Sequence, residues 1–134
     1  NIIPILGVTN VIGSLLKRYL PSLHDHFRRL NLDTDVFVVD WFLSLFARSF
    51  RLEVACRVWD NFFVYQEFFL FQVVIGCLKL LSPFLLAEQD LGGCLEVLQS
   101  MKEKREEEVF SAIESIQFDR DFFWQCVHQV GLIL

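Results

Sequence analysis

A candidate reactive pair stands at residues 57–60, which are Arg-Val-Trp-Asp within strongly apolar sequence. An arginine can stabilise negative charge that develops during a reaction, and a nearby carboxylate can orient it. The spacing also suits an ordinary helix surface. Arg57 can reach Glu53 at i−4 and Asp60 at i+3, while Trp59 falls on the opposite, apolar side. The pattern favours a structural role for Arg57 and Asp60. Direct contact with a partner protein and catalysis by Arg57 are the two alternatives.

Helices alone are predicted to position this stretch, because no segment alternates between apolar and polar residues as a strand does. Helix starts are signalled by Pro21, Ser82-Pro83, Asp90 and Asp119. The expected helices lie at residues 9–19, 21–30, 35–48, 49–65, 67–81, 83–88, from 90 onward, 106–116 and from 119 onward. The predicted fold class is all-α, an orthogonal multi-helix subdomain of about eight or nine helices.

Two of the predicted helices are apolar around almost their whole circumference. At residues 35–48 the polar side chains form one narrow stripe, and the same holds at 67–81. A soluble helix of this kind is buried on nearly all sides. The remaining amphipathic helices are too few to cover both, so we expect this chain to be a piece of a longer protein. Alone, it should expose an apolar patch larger than about 300–600 Å² and form a homo-oligomer.

The charged and sulfur-containing residues exclude several classes of function. The net charge is −5 and the lysines and arginines form no basic patch, so we expect no nucleic acid partner. His24 and His26 are two residues apart on a helix and point in different directions. Neither they nor the cysteines have metal-ligand spacing, and we expect no metal and no cofactor. The cysteines are expected as buried, reduced thiols, and they are Cys56, Cys77, Cys94 and Cys126.

A membrane-spanning helix is the main alternative to a soluble fold, and residues 62–86 are the candidate segment. A span needs about 20 mostly apolar residues with few or no charges. This segment is interrupted by Gln66, Glu67, Gln72 and Lys79. We therefore predict no transmembrane segment, and the apolar N-terminus lacks the basic region of a signal peptide.

The stretch "DWFLSLFARSFRLEVACRVWDNFFVYQEFFLFQ" resembles the central part of the C-terminal half of TBC domains, the GTPase-activating domains for Rab proteins. The family typically has W-F-L-x-L-F, then R-I-W-D, then Leu-Phe at the same spacing. The matching, family-motif structural residues here are Trp41, Phe42, Leu43, Phe46, Arg57, Trp59, Asp60, Leu70 and Phe71. "YLPSLHDHFRRLNLD" upstream resembles the family's LP-x-L-x-x-H helix, and "IQFDRDFFWQCV" resembles the segment that closes the domain. The resemblance covers residues 15–127.

The resemblance implies a GTPase activator, but this sequence lacks the family's two catalytic residues. TBC proteins act through an arginine in I-x-x-D-x-x-R and a glutamine in Y-x-Q, both in the N-terminal half. Ile116 and Asp119 fit the first motif, but Phe122 occupies the arginine position, and Tyr65 begins no Y-x-Q. No catalytic residue carries over. At the turn and surface positions Arg51, Tyr65-Gln66 and Gln72 the sequence also departs from the family, which suggests a divergent member.

The expected function is therefore that of residues 1–134 as the C-terminal subdomain of a TBC domain, a part that is not itself an enzyme. It would brace the catalytic half and contribute contact surface for a Rab-family small GTPase, in the regulation of vesicle trafficking. The expected partners are that GTPase, through the parent protein, and the N-terminal half of the same domain. The expected location is cytoplasmic, with peripheral association with endomembranes. The alternatives are a catalytically inactive TBC-like scaffold and an unrelated helical protein-interaction module.

Overall fold

The computed structural model describes residues 5–43 and 52–129, with the side chains of 9–38, 41, 53–54 and 68–129. These residues form helices joined by short links, and no strand occurs among them. The elements are α1 Ile5–Tyr19, α2 Pro21–Arg29, α3 Asp35–Leu43, α4 Leu52–Ala87, α5 Leu91–Gln99, a 3₁₀ turn Ser100–Glu103, α6 Glu106–Glu114 and α7 Arg120–Gln129. The predicted all-α class is confirmed.

The boundary between the first two helices is predicted correctly from the sequence. α1 ends at Tyr19, and Pro21 is the first residue of α2, where the missing N–H of proline leaves no bond unmade. α2 ends at Arg29, and two residues later Asn31 has φ 55°, a left-handed conformation that asparagine tolerates. The N–H of Leu32 then donates to the carbonyl of Phe27 at 2.9 Å and closes the helix end. Leu32 is buried, so the link from α2 to α3 places its leucine side chain in the core.

α4 runs without interruption from Leu52 to Ala87, over 36 residues. The sequence predicts three helices here, with breaks near residue 66 and at Pro83, and this division is wrong. Pro83 removes one backbone hydrogen bond, but it lies only one turn before the end of the helix. Leu81 and Leu85 on either side of it are fully buried. Burial of each contributes about 1.5–3 kcal/mol, and both require the helix to continue through the proline.

The helices α1, α2, α5 and α6 pack on α4, and α3 and α7 pack on α1. The contact with α6 is very close at Gly76, where a Cβ atom would lie 2.5 Å from Cγ1 and 2.9 Å from Cα of Ile113. Beside it, Lys79 is exposed and its ammonium group donates to the Ser115 hydroxyl at 2.7 Å. The sequence places Gly76 in a thin polar stripe, but α6 covers that part of the stripe. From Phe68 to Leu78, the helix is buried except at the half-buried Gln72.

The predicted caps of the last helices are confirmed. The Asp90 carboxylate accepts from the N–H of Gly93 at 2.8 Å at the start of α5. At the start of α7, the Asp119 carboxylate accepts from the N–H groups of Asp121 and Phe122 at 2.9 and 3.2 Å. Each cap satisfies backbone donors that have no partner within the helix.

α7 returns to the end of α1 and ties the two ends of the described chain together. The hydroxyl of Tyr19 accepts from the N–H of Asp119 at 2.9 Å, across 100 residues of sequence. The Tyr19 ring lies 4.7 Å from that of Phe118. The guanidinium of Arg18 lies 3.8 Å from the Asp119 carboxylate and 4.2 Å from the centre of the Phe122 ring. Sequence patterns gave no sign of this contact, because its partners lie so far apart.

Candidate functional site

Trp41, the first residue of the family-type motif, belongs to a buried row of aromatic rings. Its ring lies 5.0 Å from that of Phe37 in α3, and Phe37 lies 6.3 Å from Phe27 in α2, both in edge-on arrangements. Only 3% of Trp41 is exposed. Edge-on aromatic pairs contribute about 0.5–1.5 kcal/mol beyond the area that they bury. Trp41 therefore packs against Phe37 of its own helix, and Phe37 joins α3 to α2.

Leu70 and Phe71, the last residues of the motif, are buried inside α4. Phe71 is 1% exposed and its ring lies 4.9 Å from that of Phe123 in α7. Phe68, one turn earlier, lies 5.0 Å from the same Phe123 ring and 6.3 Å from Phe118. This aromatic cluster joins α4 to the last helix, and a side chain inside it has no access to a substrate.

The other motif residues fall outside the side chains that the structure describes. Arg57, Trp59 and Asp60 lie within α4, and Phe42 and Leu43 end α3, but only their backbone is described. Phe46 lies between α3 and α4, outside the described residues. The structural role of Arg57 and Asp60 stays a prediction.

The stretch that partly fits I-x-x-D-x-x-R serves as a helix start in this chain. Asp119 caps α7, as above, and Ile116 is half-buried against the core. Phe122, in place of the arginine, is also half-buried and packs under the guanidinium of Arg18. Asp119 and Phe122 are thus engaged in holding α7 to α1.

The nucleophilic and metal-binding side chains of the described part of the chain are inaccessible or isolated. Cys77, Cys94 and Cys126 are free thiols and buried. Burial raises the pKa of the Cys77 thiol, and burial, followed by the charges of Glu88 and Asp90, raises the pKa of Cys94. A raised pKa keeps a thiol protonated and unreactive at neutral pH.

The histidines of α2 do not form a pair. His26 is 7% exposed, with Nδ1 3.5 Å from Arg29 and Nε2 without a hydrogen-bond partner, while His24 lies 3.6 Å from Asp25. Among the described residues, no group of three or more His, Cys, Asp or Glu side chains could hold a metal ion.

Together these features define a helical scaffold whose described motif residues, Trp41, Leu70 and Phe71, are buried in the core. The model of the Rab-GTPase-TBC domain matches residues 5–86 of this chain. The chain therefore belongs to the TBC domain family of Rab GTPase-activating proteins. The match includes the W-F-L-x-L-F and R-V-W-D segments. It ends before α5, so the resemblance of residues 116–127 to the closing segment of the domain lies outside it.

Several curated proteins are similar to the chain. TBC1 domain family member 14 of Mus musculus is 35% identical over 98 residues, which cover 73% of this chain and 14% of that protein. TBC1 domain family member 12 of Rattus norvegicus is 37% identical over 99 residues, with the same shares. Drainin of Dictyostelium discoideum is 28% identical over 115 residues, 84% of this chain and 26% of that protein. The chain thus spans a small part of the length of these relatives.

Among the described residues, one segment has the length and composition of a membrane span, Phe68–Ala87 in α4, with a mean hydropathy of 2.0. Of its hydrophobic window, 61% is buried inside the molecule. The core helix of a soluble protein has the same character, so length and composition are weak evidence for a span here.

Proposed function

We propose that this chain is the C-terminal subdomain of a TBC-type GTPase activator for Rab proteins, and that it supports catalysis without supplying the catalytic residues. The observation that carries the proposal is the burial of Trp41, Leu70 and Phe71. Family-type residues that are buried in this way shape and stabilise a domain. The motif order and spacing, which resemble the C-terminal half of the family domain, support the same assignment.

The catalytic arginine and glutamine would come from the N-terminal half of the same domain. An arginine supplied in trans to a GTPase accelerates hydrolysis by about 10³–10⁵-fold. The present sequence contains neither finger motif, and Phe122 at the arginine-like position is packed under Arg18. The contribution of this chain is then to brace that half and to form part of the GTPase contact. In this role it would act in vesicle trafficking, from the cytoplasm, with peripheral association with endomembranes.

A single-turnover assay of GTP hydrolysis over a panel of Rab proteins tests this proposal. We expect no acceleration with the isolated chain and strong acceleration of at least one Rab with the full-length protein. If the isolated chain accelerated GTP hydrolysis at micromolar concentration, the assignment of catalysis to the N-terminal half of the domain would be contradicted. Binding without acceleration by the full-length protein would favour the alternative of an inactive TBC-like scaffold.

We also propose that the isolated chain associates with itself. The described surface exposes Phe84 at 55%, Leu91 at 41% and Leu86 at 37%, all around the junction of α4 and α5. Light scattering coupled to gel filtration should show a dimer or a higher oligomer. A monomer over a wide concentration range, with no binding of a hydrophobic dye, would mean that no large apolar patch is left open.

A further inference from the structure

The last turn of α4 is apolar at every position that faces solvent. Over residues 83–87, Leu85 is fully buried and the four other residues are exposed. These four are neighbours, because residues three and four apart lie side by side on a helix. Leu91, the first residue of α5, is exposed as well. We call this surface the α4–α5 apex, and its members are Pro83, Phe84, Leu86, Ala87 and Leu91.

The exposure of the apex is unusual for a surface that has no partner. Among the described residues, Phe84 is the most exposed large apolar side chain, at 55%, and Leu86 is exposed at 37%. Apolar side chains that are exposed singly are common, whereas a contiguous group marks contact with another surface. No charged side chain of the last turn of α4 interrupts this group.

Basic residues lie beside the apex. The ammonium group of Lys104 is 5.0 Å from the centre of the Phe84 ring. Lys102 and Arg105, next to it in sequence, are exposed. Over residues 100–105, these three basic residues stand against one acidic residue, Glu103. The rim of the apex at Lys104 is therefore positively charged.

The acidic residues of the link between α4 and α5 are held at the start of α5. The Asp90 carboxylate accepts from the N–H of Gly93 at 2.8 Å. A Cβ atom at Gly93 would overlap the Glu88 carboxylate, which therefore lies against the same helix start. The N-terminus of a helix carries partial positive charge, and this offsets the negative charge of both carboxylates.

We propose that the α4–α5 apex binds the surface of an anionic membrane. Phe84 and Leu86 would enter the zone between the headgroups and the acyl chains, and Lys104 would lie at the lipid phosphates. Apolar side chains beside basic residues are the usual basis of such peripheral binding. This inference rests on the proposed function, because it names the surface through which the protein would associate with endomembranes. Insertion is shallow, since Leu81 and Leu85 hold α4 in the core.

The size of the apex favours lipid over a second copy of the chain. Its five partly exposed side chains offer on the order of 300 Å² of apolar surface. Each partner in a stable protein–protein complex buries roughly 800 Å², so pairing of two copies would need further surface around the apex. A few inserted side chains and one or two basic residues suffice for weak, reversible binding to a membrane.

The test measures co-sedimentation of the full-length protein with vesicles of phosphatidylcholine, with and without phosphatidylserine. We expect stronger binding to the vesicles that contain phosphatidylserine. The double variant Phe84→Ser with Leu86→Ser should lower the affinity for them at least about tenfold, and Lys104→Glu should lower it about fivefold. Val36→Ser is the control for a lost apolar side chain, because Val36 is 52% exposed on α3. Arg28→Glu, on α2, is the control for a change of charge.

Phe84→Trp gives a direct measurement of insertion. Tryptophan suits the headgroup zone of a membrane, so this variant should bind vesicles as the unaltered protein does. Its additional fluorescence should be quenched by brominated lipid. Val36→Trp is the matched control, and its additional fluorescence should not be quenched.

The outcomes separate the inference from the proposed function. If the unaltered protein accelerates a Rab in solution but binds neither kind of vesicle, the inference alone is overturned. Normal vesicle binding by the double variant, or no quenching with Phe84→Trp, overturns it as well. If the double variant loses only the pairing of two copies in light scattering, the apex is an interface between copies. If the double variant has a sharply lower melting temperature, Lys104→Glu and Phe84→Trp decide. If no Rab is accelerated, the proposed function fails, and quenching with Phe84→Trp would still support a lipid-binding apex.

Discussion

Gly76 in α4 and Gly13 in α1 are both helical glycines, and their surroundings are opposite. At Gly76 the backbone of α6 lies so close that a methyl group would overlap the Cα atom of Ile113. At Gly13 a methyl group would have no heavy atom of the described residues within 4 Å. Each glycine costs its helix stability in comparison with alanine. At Gly76 the cost is offset by helix packing within the molecule, and at Gly13 the described residues supply no such packing.

The surroundings of the two glycines differ in the same way. Gly76 lies in the buried part of α4 and faces Ile113, while the rings of Phe68, Phe71 and Phe123 join the same helix to α7. Gly13 instead lines a cleft between α1 and α2, whose exposed residues include Lys17 and Arg28. Helix packing within the molecule is therefore close at the first glycine and open at the second.

The largest expected effect concerns Trp59, in the first half of α4. Trp59→Ala should destabilise the chain by about 3–5 kcal/mol, the usual loss for a truncated core aromatic. Trp124→Ala is the matched control, because Trp124 is 39% exposed on α7. The free energies of unfolding come from denaturant titration. Equal, small losses for the two variants would place Trp59 outside the core and reopen the question of what Arg57 and Asp60 do.

An intermediate effect separates the two glycines directly. Gly76→Ala should destabilise the chain by about 1–3 kcal/mol, because the backbone of α6 must move away from the new methyl group. Gly13→Ala should instead stabilise it by about 0.5–1 kcal/mol through the higher helix propensity of alanine. Thermal unfolding of both variants beside the unaltered chain measures the difference. If both substitutions changed the stability in the same direction, packing would not distinguish the two positions.

The smallest expected effect concerns Cys77, which is buried in α4 next to Gly76. Burial raises the pKa of its thiol above the value of about 8.5 that applies to the unfolded chain. The stability that follows is fully present below pH 8.5 and is lost as pH rises above it, because only the unfolded thiol can then ionise. Between pH 8 and 9.5 the loss should be about 1 kcal/mol.

The control for that pH dependence is Cys77→Ala, since other groups also titrate in this range. The variant should be less stable at every pH, but its stability should fall less steeply between pH 8 and 9.5. Identical slopes for the two proteins would show that the Cys77 thiol becomes ionised in the folded chain.

The sequence predicted those parts of the fold that depend on neighbouring residues. Pro21, Asp90 and Asp119 begin helices through local chemistry, and the structure confirms all three starts. The local preference of Pro83 predicts a break, but buried leucines on both sides keep α4 continuous through it. That outcome depends on packing between helices, which local patterns do not contain.

Less of the candidate site could be predicted. The motif residues were found by their spacing, and the burial of Trp41 and Phe71 agrees with a packing role without testing their function. The cleft between α1 and α2 could not be predicted, because its lining residues, such as Lys17, Arg28 and Asp35, come together only in the folded chain.

The bond between Tyr19 and Asp119 has a consequence for the order of events on the ribosome. Asp119 is synthesised 100 residues after Tyr19. At about 5–20 residues per second, the end of α1 waits roughly 5–20 s for this partner. During that interval the rings of Tyr19 and Phe68 lack Phe122 and Phe123 of α7, which later pack against them. The nascent chain therefore exposes these rings to chaperones for seconds. A ribosome that stalls before α7 releases a chain that cannot form the contact between α1 and α7.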